Sequence, residues 1–146
     1  MVEAEKVLEI LKRVRHDLGN HLQVISGYLD LGYLDEIRNY IDEVTRYMQY
    51  EKWLFASAEP EIALYLYYQM LRGEELGAVI RYKDIKVHDL RIIEKTDEPY
   101  ATISGWCGKL NHKDDAVFEV VLVQKGKEVE MRIKTGTDEI TRVLKE

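Results

Sequence analysis

Between Glu3 and Leu31 the chain has no proline, and Val7, Leu11, Val14, Leu18, Leu22, Ile25 and Leu29 follow one another at intervals of three or four residues. That period places all seven on one face of a single long amphipathic helix. Gly32-Tyr33 interrupts the pattern. Leu34, Ile37, Ile41, Val44 and Met48 then resume it, so the first third of the chain reads as a helical hairpin. Two helices cannot enclose stripes this long, and Tyr33, Tyr40 and Tyr47 add a second flank at intervals of seven. A second copy of the hairpin would cover them, which predicts a homodimer built on a four-helix bundle.

The remainder has a different character. Glu51 to Glu59 reads as a connector, and Pro60 suits the first turn of a helix carrying Ile62 to Leu71 that fades at Gly73 or Gly77. Ala78 to Tyr82 is a short strand candidate and Leu90 to Ile93 a weaker one, while the glycine-punctuated stretch from Tyr100 to Lys113 carries no clear period. Val117 to Val123 and Val129 to Ile133 alternate on either side of Gln124 to Lys127, a β-hairpin packed on one or both faces. Thr137, followed by Asp138 and Glu139, is placed to cap a last short helix. The fold class is therefore α+β, with residues 1–56 as the helical hairpin and dimerisation domain and residues 57–146 as a small α/β domain.

Composition narrows the function. With 46% apolar and 33% charged residues the chain has enough core to fold, and a net charge of −6 argues against nucleic acid as the main partner. No run approaches the roughly 18 apolar residues of a membrane helix, and Met1-Val2-Glu3-Ala4-Glu5 lacks the basic-then-apolar order of a signal peptide. The lone Cys107 forms no intramolecular disulfide, in keeping with a reducing compartment, so a cytoplasmic protein without a membrane partner is expected.

The chemically informative stretch is Arg15-His16-Asp17-Leu18-Gly19-Asn20-His21-Leu22-Gln23. With Leu18 at the centre of the apolar face and about 100° per residue, His16 falls at about 160° and points to water. Asn20, Gln23 and Gly27 lie within roughly 40° of the same direction, which lets a partner approach closely. His16 and His21 are directed about 140° apart and cannot readily share a metal ion, and Asp17 with His21 has the i, i+4 spacing of an ordinary helix-surface ion pair. No metal site is expected. A neutral imidazole has a lone pair to offer a phosphoryl group. Lys12, Arg13 and Arg15 can soften the incoming charge, and Asp17 can hold the ring tautomer. An isolated exposed histidine would otherwise be an ordinary surface residue.

The order Arg15-His16-Asp17-x-x-Asn20-His21-Leu22-Gln23-Val24-Ile25, running through Gly27-Tyr28-Leu29-Asp30-Leu31-Gly32 to Asp35-Glu36, resembles the phosphoacceptor hairpin of the sporulation initiation phosphotransferase B family. Related hairpins occur in citrate-sensor type histidine kinases. The resemblance implies that His16 is phosphorylated and that Asp17 and Asn20 support it; Lys12 and Arg13 by their charge, and Gln23 and Gly27 by their place on the outward face, are expected to lie where a response-regulator receiver domain docks. It also implies two such histidines on a dimeric four-helix bundle.

A kinase of that kind would read adenine with an aspartate in an Asp-x-Gly-x-Gly loop after the β-hairpin. Here the corresponding residues are Lys134-Thr135-Gly136-Thr137-Asp138, where only the middle glycine matches. A lysine ammonium is donor-only and cannot accept from the adenine amino group. Eight residues follow Asp138, too few for a lid helix, and Gly105 to Asn111 shows no magnesium motif; its two glycines read as turns around a partly buried Trp106. The second domain thus resembles a shortened, degenerate histidine-kinase ATPase-like domain that has lost its nucleotide site, as in that family, and it is expected to have no cofactor of its own, any magnesium arriving with the receiver. The expected function is a phosphorelay step in sporulation initiation between two receiver domains. A non-catalytic module that binds a receiver or a kinase, and a kinase with an unusual nucleotide site, are the alternatives.

Overall fold

A computed structural model describes residues 3–109 and 116–146, and its chain divides into two compact units, Met1–Trp53 and Leu54–Glu146. The first unit is built on α1 (Ala4–Leu31) and most of α2 (Leu34–Ser57). Gly32 ends α1 at φ 76°, a left-handed conformation that costs glycine nothing. There the Gly32 and Tyr33 N–H groups donate back to the Leu29 and Tyr28 carbonyls, satisfying acceptors the helix end would otherwise strand.

The connector expected from Glu51 to Glu59 is almost wholly helical, since α2 runs on to Ser57. The reason is local: no glycine or proline falls between residues 51 and 59, so nothing interrupts the hydrogen-bond ladder there. Only Ala58 and Glu59 form the link, and Pro60 opens the next helix.

The second unit carries α3 (Pro60–Glu75), which has Pro60 in its first turn as expected. A four-stranded sheet follows in the order β1-β2-β3-β4: β1 (Ala78–Lys86) is parallel to β2 (Ala116–Lys125), and β3 (Glu128–Thr135) and β4 (Asp138–Lys145) continue it antiparallel. Between β1 and β2 lie α4 (Leu90–Lys95) and α5 (Tyr100–Cys107), so the chain as a whole is α+β. Helices cover one face of the sheet, where Ile80, Tyr82, Phe118, Val120, Leu122, Val129, Met131 and Ile133 are buried, while Val117 and Val143 on the opposite face stay exposed. The β-hairpin is therefore packed on one face. A register shift between Tyr82 and Asp84 changes the parity of β1, so that Ala78, Ile80 and Tyr82 before it and Ile85 after it all turn inward.

Three further expectations are corrected. Leu90 to Ile93 is helical, because the Asp89 side chain accepts from the Arg91 N–H and caps the turn, while Ile92 and Ile93 are buried on one side of it. Residues 138–145 form β4 and not a capped helix. Gly136, at φ 58°, makes the tight turn with Thr137, and Ile140, Thr141 and Val143 are β-branched residues suited to a strand. Gly105 lies inside α5, and only Gly108 stands at its end; Trp106 is half-buried, edge-on to Phe118.

Buried and half-buried polar groups tie α3 to the end of α4 and the loop before α5. The Tyr65 hydroxyl lies 2.8 Å from the Ile93 carbonyl and 2.9 Å from that of Glu98, and burial pushes its pKa well above the usual phenol range. Gln69 donates to Asp97 and accepts from the Tyr100 N–H, and Arg72 donates to Asp97 while its guanidinium lies 3.7 Å from the centre of the Tyr100 ring.

Candidate functional site

His16 sits midway along α1 with its side chain 71% exposed, on the outward side that the helical period assigns to it. Its Nδ1 has two polar neighbours. The Asn20 side-chain nitrogen, one turn on, is 3.4 Å away, and an Asp17 carboxylate oxygen is 3.7 Å away, within ion-pair reach but beyond hydrogen-bond length. The amide of Asn20 can present either its NH2 or its oxygen to the ring.

Asp17 is held from the other side. Arg13 Nε lies 3.3 and 3.4 Å from the two carboxylate oxygens, an i, i+4 pair along α1. Arg13 is thus committed to Asp17, whereas Lys12 and Arg15 are exposed on the same stretch of helix as His16. Gln23 is also exposed, and at Gly19 and Gly27, the adjacent backbone of the helix aside, no atom lies within 4 Å of where a Cβ would stand. His16, Asp17 and Asn20 are therefore gathered into one cluster, with Gln23 and Gly27 further along the helix.

Two features of the hairpin differ from the sequence reading. Asp17 pairs with Arg13 and not with His21, because His21 turns toward α2, where its Nδ1 meets the Tyr40 hydroxyl at 2.6 Å. The least exposed side of α1 carries Ile10, Arg13, Asp17, His21, Ile25 and Tyr28, rotated by roughly 60–100° from Leu18 for most of its members. Leu18 is 56% exposed within the single chain and does not mark a buried centre there. The Arg13 to Asp17 spacing is a readable signal for that pair; the His21 to Tyr40 bond, between residues nineteen apart, has none.

In the second unit the stretch compared with an adenine-reading loop is the tip of the β3–β4 hairpin. Lys134 is opposite Glu139 and Thr135 opposite Asp138, with the Thr135 hydroxyl donating to the Val117 carbonyl. His88 is exposed before α4, its N–H donating to the Gln124 side chain. His112 and Asn111 lie outside the described residues. Among the described residues no group of three or more His, Cys, Asp and Glu side chains is arranged to hold a metal ion, and no helix is long and apolar enough to cross a membrane.

Residues 1–56 match the family model described as the sensor kinase SpoOB-type, alpha-helical domain. No curated protein matches the chain. The helical hairpin that carries His16 is thus similar to the SpoOB-type alpha-helical domain, which supports a relationship to the sporulation initiation phosphotransferase B family over residues 1–56.

Proposed function

We propose that the protein is a phosphorelay histidine phosphotransferase of sporulation initiation, acting in the cytoplasm between two response-regulator receiver domains. His16 is the phosphoacceptor. The Asp17 carboxylate lies toward Nδ1, and Asn20 can turn its amide oxygen to the same atom, which favours the proton on Nδ1 and the nucleophilic lone pair on Nε2. The Nε2 lone pair attacks the phosphorus of a receiver's aspartyl phosphate; the N–P bond forms as the acyl P–O bond breaks, and the receiver's aspartate leaves as a carboxylate. The imidazolium so formed has the Asp17 carboxylate beside it. A carboxylate of the second receiver then attacks the same phosphorus and releases the neutral ring. Both phosphorylated species are high in energy, so the protein contributes mainly positioning.

The receiver brings the magnesium ion. Lys12, Arg13, Gln23 and Gly27 form its docking flank, Arg13 acting through Asp17. Two hairpins pair through the exposed Leu11, Leu18, Leu22 and Leu29 of α1 and Leu34, Ile41 and Met48 of α2 to make a four-helix bundle. The second unit is a degenerate ATPase-like domain, in which Lys134 and the β3–β4 hairpin occupy the place of an adenine loop.

The observation that carries this reading is the exposed His16 with Asn20 and Asp17 at its Nδ1, on a hairpin similar to this family's helical domain. The test is incubation of the full chain with a phosphorylated receiver. The expected product is an acid-labile, base-stable phosphate on the wild type and none on His16→Ala. A receiver that binds without losing its phosphate would assign the chain a regulatory binding role instead.

A further inference from the structure

Between α5 and β4 of the second unit lies a cavity of about 250 Å³ lined by Ala101, Thr102, Gly105, Trp106, Ile140 and the two cations Lys109 and Arg142. Its walls differ in kind. Trp106, held edge-on to Phe118, and Ile140 offer apolar surface, and Gly105 leaves open space where a side chain would project.

The polar groups at the cavity are unequally committed. The Thr102 hydroxyl donates to buried Glu98, which also accepts from the Thr102 N–H. Arg142 approaches that carboxylate only to 3.9 Å, and its side chain is 55% exposed. Among the described residues neither Arg142 nor Lys109 makes a side-chain hydrogen bond, so guanidinium and ammonium donors remain at the cavity for an anion.

We infer that this cavity binds a small organic carboxylate with a flat apolar body, its ring against Trp106 and its charge on Arg142 and Lys109. At about 250 Å³ the cavity lies just under the roughly 300 Å³ at which pockets for drug-sized molecules begin, which suits a single-ring acid. Arg142 supplies a planar pair of donors matched to a carboxylate, whereas Lys109 supplies a point charge.

The test uses benzoate as the probe and benzamide as its neutral counterpart, added to the full chain in a Trp53→Phe background so that Trp106 reports. Benzoate is expected to change the emission saturably, with benzamide and inorganic phosphate at least about tenfold weaker. Arg142→Ala is expected to weaken benzoate about tenfold, with Arg142→Lys intermediate. Gly105→Leu, which fills open space and leaves the core untouched, is expected to weaken it as well. The inference is overturned by an absence of saturable change, by equal binding of benzoate and benzamide, by an unchanged midpoint in Arg142→Ala, or by ATP binding more tightly than benzoate.

Discussion

Replacing Leu18 by aspartate tests the proposed pairing of two hairpins. Leu18 is 56% exposed in one chain, so its removal leaves the single hairpin nearly as it was, whereas in a bundle this surface is covered. Fully burying a leucine side chain contributes about 1.5–3 kcal/mol, so covering a little over half contributes about 1–1.5 kcal/mol per copy. Two-fold symmetry repeats the contact, giving about 2–3 kcal/mol for the pair. An unpaired carboxylate on each side adds a desolvation cost of at least a few kcal/mol. At about 1.4 kcal/mol per factor of ten, the dissociation constant should rise by on the order of a thousandfold or more. Sedimentation velocity over a concentration series measures that constant, and circular dichroism checks that helix and sheet persist. Leu18→Ala, which removes only the covered area, should shift it by roughly thirtyfold. A dissociation constant within about threefold of wild type in Leu18→Asp, or a wild type that stays monomeric at high concentration, would refute the reasoning.

Asn20→Ala should lower phosphotransfer to His16 by about tenfold or more while leaving the dimer intact, as measured by receiver dephosphorylation alongside sedimentation. Gln69→Leu should lower stability by about 1–3 kcal/mol in denaturant unfolding, because the Tyr100 N–H and Asp97 both lose their Gln69 partner. Burial raises the pKa of Glu98, against the lowering effect of its hydrogen bonds from Thr102. The folded chain therefore holds that proton to higher pH than the unfolded chain, and Glu98 costs stability as pH rises from the ordinary carboxylate range through the raised value. Glu98→Gln should flatten the unfolding midpoint across that window; an unchanged pH profile would show that Glu98 is not its source.

The candidate site is largely legible in the sequence because it lies on one helix. His16, Asp17 and Asn20 are neighbours through the helical period, and the outward direction of His16 follows from the same period. For Asp17 the period allows both Arg13 and His21 as partners; the choice follows from α2, whose Tyr40 takes His21 away. In the second unit, Leu90 to Ile93 and residues 138–145 are short apolar or mixed segments that local preference leaves ambiguous. Asp89 as a cap and β3 as a neighbouring edge resolve them.

The order of amino acids was sufficient for α1, the first part of α2, the turn at Gly32, the β-hairpin and the exposure of His16, since each depends on a period or a turn residue within a few positions. The parity change in β1, the pairing of the fourth strand with β3, the polar ties from α3 to the loop before α5 and the cavity beside Trp106 came from the folded arrangement alone. These depend on which distant backbone offers hydrogen bonds and which side chains meet across the sheet, and no local pattern carries that information.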